Sequence, residues 1–229
     1  MTIYRFIRCL LPLATCLFAF SLSAATSQEN RKDSLVYVGL TPFGIHAPSI
    51  LTRPLNVGVY LGSNFMFGAE YGRLQDSDYE HAYLEKKYDE DHSSDETNVS
   101  GSYTNEGVYL RVFSGESSLN LYVAYHVRTW DGEGTLTRDS GVATGTMKFQ
   151  TRVGSVGIGN RWQFDSGLTF GVDWYVDSRI LEQSLEYEIT SNTGIPQDEV
   201  ETEVEDFGKF LNAVSGLPGL CVVSFGISF

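Results

Sequence analysis

The residues able to do chemistry in this 229-residue chain fall into two groups: charges recurring at alternate positions inside otherwise apolar runs, and dense carboxylate clusters between those runs. The first group comprises Glu70, Arg111, His126, Arg128, Arg161, Asp173 and Asp177. Each lies in a run where apolar and polar residues alternate, so each points away from the apolar face. If those polar faces enclose a common interior, the charges can pair in a ladder, Glu70 with Arg111, and Arg161 or Arg128 with Asp173. Pairing is expected because a buried ion left alone is costly. Such a ladder serves either as a structural plug or as the lining of a narrow pore for ions.

Covalent catalysis would require a His beside a Ser or a carboxylate. The four histidines are His46, His81, His92 and His126. His92 and Ser94 have a His-x-Ser spacing but lie in a charged segment, and His126 beside Arg128 suits a structural hydrogen bond. No catalytic residue is assigned and no cofactor is implied. The densest acidic cluster, Asp89-Glu90-Asp91-His92-Ser93-Ser94-Asp95-Glu96, lacks the central glycine and ligand spacing of a calcium loop, so no metal site is assigned.

Eight runs with period-two alternation position these groups: 35–41, 55–62, 64–74, 105–113, 118–130, 150–164, 167–177 and 220–229. The fifth is the clearest. Leu119, Leu121, Val123, Tyr125 and Val127 share one face, and Asn120, Tyr122, Ala124, His126 and Arg128 the other. The same parity sets Val108, Leu110 and Val112 against Tyr109 and Arg111. The outward faces carry almost no charge, as lipid would enforce, since a charge on the lipid face at mid-bilayer costs about 2–4 kcal/mol. Trp130, Trp162, Phe164 and Trp174 fall near run ends, where an aromatic girdle is expected.

The connections alternate. Short links centre on Gly62-Ser63-Asn64, Gly115-Glu116-Ser117 and Asp165-Ser166-Gly167. The others span about 13, 30, 19 and 42 residues, the order expected of a barrel with periplasmic termini, short periplasmic turns and long extracellular loops. Leu185, Tyr187 and Ile189 in the last link leave open either a ten-stranded variant or an upward extension of strand seven. Further on, Asp198 and Glu201 form a candidate capping box, and Val200, Val204, Phe207, Leu211 and Val214 recur at helical spacing before Gly216 and Pro218. An amphipathic helix packed over or into the extracellular mouth is expected, despite Gly208 within it.

The chain begins with Arg5 and Arg8, an apolar run from Cys9 to Leu22, and Ser23-Ala24-Ala25, the pattern of a secretory signal peptide over 1–25. Residues 26–33 then form a periplasmic lead and 34–229 the barrel. Cleavage removes two of three cysteines and leaves Cys221 alone, so no intramolecular disulfide is possible. It also removes two arginines and no acids, taking the net charge from −13 to −15. Segment 75–104 has a net charge of −7 and segment 177–217 one of −8, so the rest of the mature chain is neutral on balance. This acidity excludes a nucleic-acid binder, which would need clustered Lys and Arg. Acidic loops at a surface of anionic head groups could instead bridge to them through divalent cations, or hold a surface ligand.

The chain ends on Leu220-Cys221-Val222-Val223-Ser224-Phe225-Gly226-Ile227-Ser228-Phe229, with Phe225, Ile227 and Phe229 on one face. This closely resembles the terminal strand of Gram-negative outer-membrane barrels, and the architecture over 34–229 resembles the small eight-stranded OmpA/OmpX type. The resemblance implies an all-β, eight-stranded, antiparallel up-and-down transmembrane barrel in the outer membrane, with Phe225, Ile227 and Phe229 as an assembly signal. Its implied partners are lipid and lipopolysaccharide, the barrel-assembly machinery and periplasmic chaperones. The expected role is structural or adhesion-like, through the acidic loops. A narrow channel for ions or small solutes is the alternative, and a lipid A-modifying enzyme a third reading.

Overall fold

The computed structural model describes residues 24–45, 51–74, 96–138 and 140–229. Eight antiparallel strands close in sequence order: β1 (Val36–Ile45), β2 (Leu55–Leu61), β3 (Phe65–Leu74), β4 (Glu96–Phe113), β5 (Leu119–Arg138), β6 (Gly141–Gln163), β7 (Leu168–Thr193) and β8 (Gly219–Ser228). Helix α1 (Ala24–Asp33) precedes β1, and helix α2 (Gln197–Ser215) lies between β7 and β8. Closure is made by β1 on β8, with Tyr37 opposite Ser228 and Leu40 opposite Phe225. Pro42 falls where that register shifts, a place where its missing N–H breaks no ladder bond.

The three short links are tight turns carrying Gly62, Gly115 and Gly167 at φ of 68°, 54° and 81°. Only glycine adopts this left-handed conformation without strain, so these residues set the hairpin ends. We call this the turn end of the barrel.

The period-two parity holds around the barrel. Along β2, Leu55, Val57, Val59 and Leu61 are exposed while Asn56, Gly58 and Tyr60 are buried. On β5 the burial pattern alternates from Leu119 to Arg128 as the sequence requires. The outward apolar residues form a belt, including Phe67, Val108, Leu121, Val156, Leu168 and Phe225. On β5 the belt runs from Leu119 to Val127, about the nine residues that a tilted membrane strand needs.

Four strands run much further than their sequence patterns suggest. β4 begins at Glu96 rather than 105, β5 and β6 meet in a hairpin that leaves only residues 139 and 140 between them, and β7 continues to Thr193. The link expected over 131–149 is therefore mostly strand. Leu185, Tyr187 and Ile189 belong to an extension of β7, and no ninth or tenth strand forms among the described residues. Beyond the belt the outward positions become polar, as in Asp131 and Glu133 on β5 and Lys148 and Arg152 on β6. Apolar periodicity vanishes there, so these strands are unreadable by pattern. Above Val176, β7 has no β8 partner, and the four long strands rise from the barrel as a sheet.

Helix α2 covers the inner face of that sheet. It buries Val200, Phe207 and Leu211, three of the five residues at helical spacing. Phe207 meets Trp130 edge to face at 5.1 Å, and Leu74, Tyr103, Met147 and Phe149 complete the cluster. The proposed capping box does not form. The N-cap is Pro196, with no side-chain cap, and Asp198 instead lends its carbonyl to the Thr202 hydroxyl. Gly208 is tolerated because it faces Leu185, whose Cδ2 would lie 3.2 Å from any added Cβ.

Trp130, Trp162 and the end of the seventh run depart from their sequence-derived placement; Trp162, expected in an outward girdle, is 3 % exposed and stacks on Phe170. Trp130 is buried inside rather than standing in an outward girdle, because it shares the parity of Arg128 on a strand that continues upward. Asp177 does not face the interior. A register shift between Ile158 and Gly159 makes Trp174 an extra residue on β7, so Tyr175 turns outward, Val176 inward, and Asp177 is left partly exposed beside Arg179.

Candidate functional site

The interior is packed in tiers, each built from the polar parity of several strands. In the middle tier Arg111 from β4 meets Asp173 from β7. Its Nη1 and Nη2 donate to Asp173 Oδ1 and Oδ2 at 2.6 and 2.7 Å, and Nη1 also donates to Asn120 Oδ1 at 2.8 Å. The guanidinium lies 4.6 Å from the Tyr122 ring centre. This is a two-pronged, fully buried pair, the strongest arrangement that Arg and a carboxylate make.

In the next tier Glu70 from β3 meets His126 from β5, with Oε1 2.6 Å from Nε2. Asn105 Nδ2 donates to the same Glu70 oxygen at 3.0 Å, and Asn105 Oδ1 accepts from Arg128 Nε at 3.2 Å. Arg128 Nη1 donates onward to the Ser215 carbonyl at the end of α2. The Tyr103 hydroxyl touches the Ser215 hydroxyl at 3.3 Å.

The expected ladder is thus rewired. Glu70 pairs with His126 rather than Arg111, and Asp173 takes Arg111 rather than Arg128 or Arg161. The cause is the slant of the strands. Glu70 is opposite Gly107, which is opposite His126, whereas Arg111 lies two inward positions further along β4. Gly107 holds no side chain between them, and a Cβ there would sit 2.2 Å from the His126 ring. Arg161, in the tier nearest the turns, donates to Ser224 Oγ at 3.1 Å, with its guanidinium 4.6 Å from the Tyr37 ring.

Both ends of this interior are closed by helices. At the turn end, Arg31 of α1 is 1 % exposed. Its Nε donates to the Ser63 carbonyl at 2.8 Å, and Nη2 donates to the carbonyls of Gly115 and Ser117 at 3.0 and 3.2 Å. The guanidinium also stacks 4.3 Å from the Phe113 ring centre. Burial lowers its pKa to about 10, which leaves it charged at neutral pH. Asn30 Nδ2 donates to Asp165 Oδ1 and to the Gln163 carbonyl, both at 3.0 Å, and Gln163 Nε2 donates to the Asn30 carbonyl at 3.0 Å. One short helix therefore touches all three turns. At the other end, Arg128 and Tyr103 hold the last turn of α2 across the mouth. Between the closures lies a polar cavity of about 40 Å³, lined by Glu70, Arg111, His126, Arg128 and Asp173. That volume is the room of about three waters. A second cavity, apolar and of about 70 Å³, lies between α2 and the extended sheet, against Trp130, Leu136, Met147 and Val200.

Sequence parity placed Glu70, Arg111, His126, Arg128, Arg161 and Asp173 inside, and all six are there. Arg31 carried no signal, since it sits in a polar stretch without periodicity. Asn105 was legible by parity alone, but its bridging role depends on neighbours from β3 and β5. Phe225, Ile227 and Phe229 stand outward and exposed on β8 as the alternation requires. His46 and the His92/Ser94 and Asp89–Glu96 groups lie outside the described residues. No group of three metal-ligating side chains occurs among the described residues.

A closed eight-stranded antiparallel barrel, apolar around its outer belt and ionically packed within, is the class of protein these observations define. No protein-family model matches the chain, and no curated protein matches it. Among solved structures it matches a major outer membrane protein from Thermus thermophilus, with 10 % identity and a TM-score of 0.38, covering 86 % of this chain and 100 % of that one. The barrel assignment rests on the strand register above, not on that likeness.

Proposed function

We propose that this protein is an occluded outer-membrane barrel of a Gram-negative bacterium that displays a rigid, acidic surface outside the cell, with a structural or adhesion-like role. One observation carries the reading. On the four long strands the outward residues change from apolar to charged partway along, while the strands themselves continue. A bilayer around the belt would leave the upper part of β4–β7, with α2 against it, standing in water. The extension of β7 from Asp177 to Thr193 would project up to about 56 Å along the strand. It presents Glu182, Glu186 and Glu188 on its outer face, and α2 adds Glu199, Glu201, Glu205 and Asp206.

On this reading the turns, α1 and both termini are periplasmic. Phe225, Ile227 and Phe229 are presented to the barrel-assembly machinery, chaperones carry the unfolded chain, and lipid and lipopolysaccharide surround the belt. The acidic surface contacts either a surface ligand or neighbouring anionic head groups through divalent cations. The channel alternative has a charged interior in its favour, but the helices across both mouths and the small cavity count against it. His126 is engaged by Glu70 at 2.6 Å and by the Tyr122 hydroxyl at 3.5 Å, which suits a structural role rather than an enzymatic one.

The test compares cells displaying the intact protein with cells displaying a form in which 131–148 and 178–217 are replaced by short turns. Binding to surfaces or to added divalent cations should fall to background while the trimmed barrel still folds. Retained binding, or a large single-channel conductance of the intact protein in planar bilayers, would sink the proposal.

A further inference from the structure

The apolar cavity between α2 and the extended sheet is built into the backbone. On the inner face of the sheet, Gly134 of β5 stands directly opposite Gly145 of β6, and both line the cavity. Their neighbours of the same parity are large, and Trp130 and Leu136 on β5 and Met147 on β6 are all buried. The paired glycines therefore leave a gap in an otherwise filled face. Gly145 cannot be filled in place, because a register shift falls between Thr144 and Gly145 and an added Cβ would lie 2.7 Å from the Glu188 carbonyl oxygen. Val200, Val204 and Phe207 of α2 form the roof, with the Phe207 ring set edge to face against Trp130.

At about 70 Å³ the cavity has roughly half the volume of an engineered apolar cavity that binds benzene, the room of about three carbons. It gives water few polar partners, so an aliphatic group competes well for it. The helix that supplies the roof is acidic, with six carboxylates against Lys209. One of them, Glu203, stands at the cavity itself, 3.5 Å from Arg138. Glu182, Glu186 and Glu188 on β7 add to the same field. Such a field repels chains headed by carboxylate or phosphate and concentrates cations. The geometry points to a binding site for a small amphipathic cation, an alkylammonium whose tail enters between α2 and the glycine floor while its head stays in the acidic surroundings. This site does not depend on the adhesion-like role proposed above.

The test uses the full folded barrel in zwitterionic detergent micelles, with its methionine methyl groups labelled with carbon-13 for NMR. Met147 lines the cavity, and Met66, buried in the barrel, is the internal control. The probe is butyltrimethylammonium, with tetramethylammonium, 1-butanol and butyrate as head-only, tail-only and anionic comparisons. The Met147 methyl should shift saturably and show an Overhauser effect from the butyl chain while Met66 stays in place. The probe should bind about tenfold more tightly than butyrate, a preference that shrinks as salt is raised. Ala143→Leu and Val204→Phe fill the cavity from the floor and the roof, and each should abolish the response, with Met66 at its wild-type position showing that the variant has folded. An unresponsive or unsaturable Met147, or equal affinity for any of the three comparison compounds, would overturn the assignment. So would a response that persists in a folded, filled variant; if neither variant folds, the comparison of probes on the wild type decides the matter.

Discussion

Breaking the Arg111–Asp173 pair one side at a time, and then as a whole, separates a structural plug from a decorative ion pair. Both side chains are buried, and every oxygen of Asp173 is occupied by Arg111 at 2.6 or 2.7 Å. Replacing Arg111 with Met strands a carboxylate in the interior, and replacing Asp173 with Val strands a guanidinium. Each should cost about 3–5 kcal/mol, because an uncompensated buried ion remains. The double replacement leaves no ion behind and should return to within about 1 kcal/mol of the wild type or exceed it, since well-packed apolar substitutes often match a buried pair. With a urea dependence of about 1–3 kcal/mol per molar, each single variant shifts the unfolding midpoint by one to several molar. The assay is reversible urea unfolding in lipid vesicles, followed by tryptophan fluorescence and by the gel mobility of the folded barrel. Singles costing less than about 1 kcal/mol, or singles whose costs simply add in the double variant, would refute the reasoning. Either result would mean that water reaches the interior and that the barrel is not occluded at this tier.

The two closures give further expectations. Arg31→Ala removes three bonds from a charged donor to the turn carbonyls, each worth about 1.5–3 kcal/mol, so residues 26–33 should become protease-sensitive while the strands stay protected. Unchanged cleavage would mean that α1 is held by Asn30 and Gln163 alone. Arg128→Met releases the carbonyl end of α2, and hydrogen exchange over 209–215 should accelerate about tenfold or more with exchange in β5 unchanged.

The outer belt, the inward charges and the terminal strand were legible in the sequence because a strand has a side-chain period of two. Any element with one oily face displays that period. Asn120, Tyr122, His126 and Arg128 could be assigned to the interior on those grounds alone. The same rule failed wherever its premise failed. At Trp174 a single extra residue inverted the parity and turned Asp177 out and Val176 in. Above the belt both faces of the sheet meet polar surroundings or the helix, so the continuations of β4 to β7 left no alternation to read.

The sequence by itself pointed to an antiparallel barrel with an apolar exterior and a polar, partly charged core: local periodicity fixes which face each residue takes, and the alternating link lengths, uncharged outward faces and terminal aromatic strand fit a barrel. Tertiary structure alone decided who pairs with whom: Glu70 with His126, Arg111 with Asp173, Arg31 with three turn carbonyls, and Arg161 with the Ser224 hydroxyl. Partner choice depends on strand slant, bulges and the docking of two helices, which are relations between segments that can lie 135 or more residues apart. No single stretch of sequence contains them.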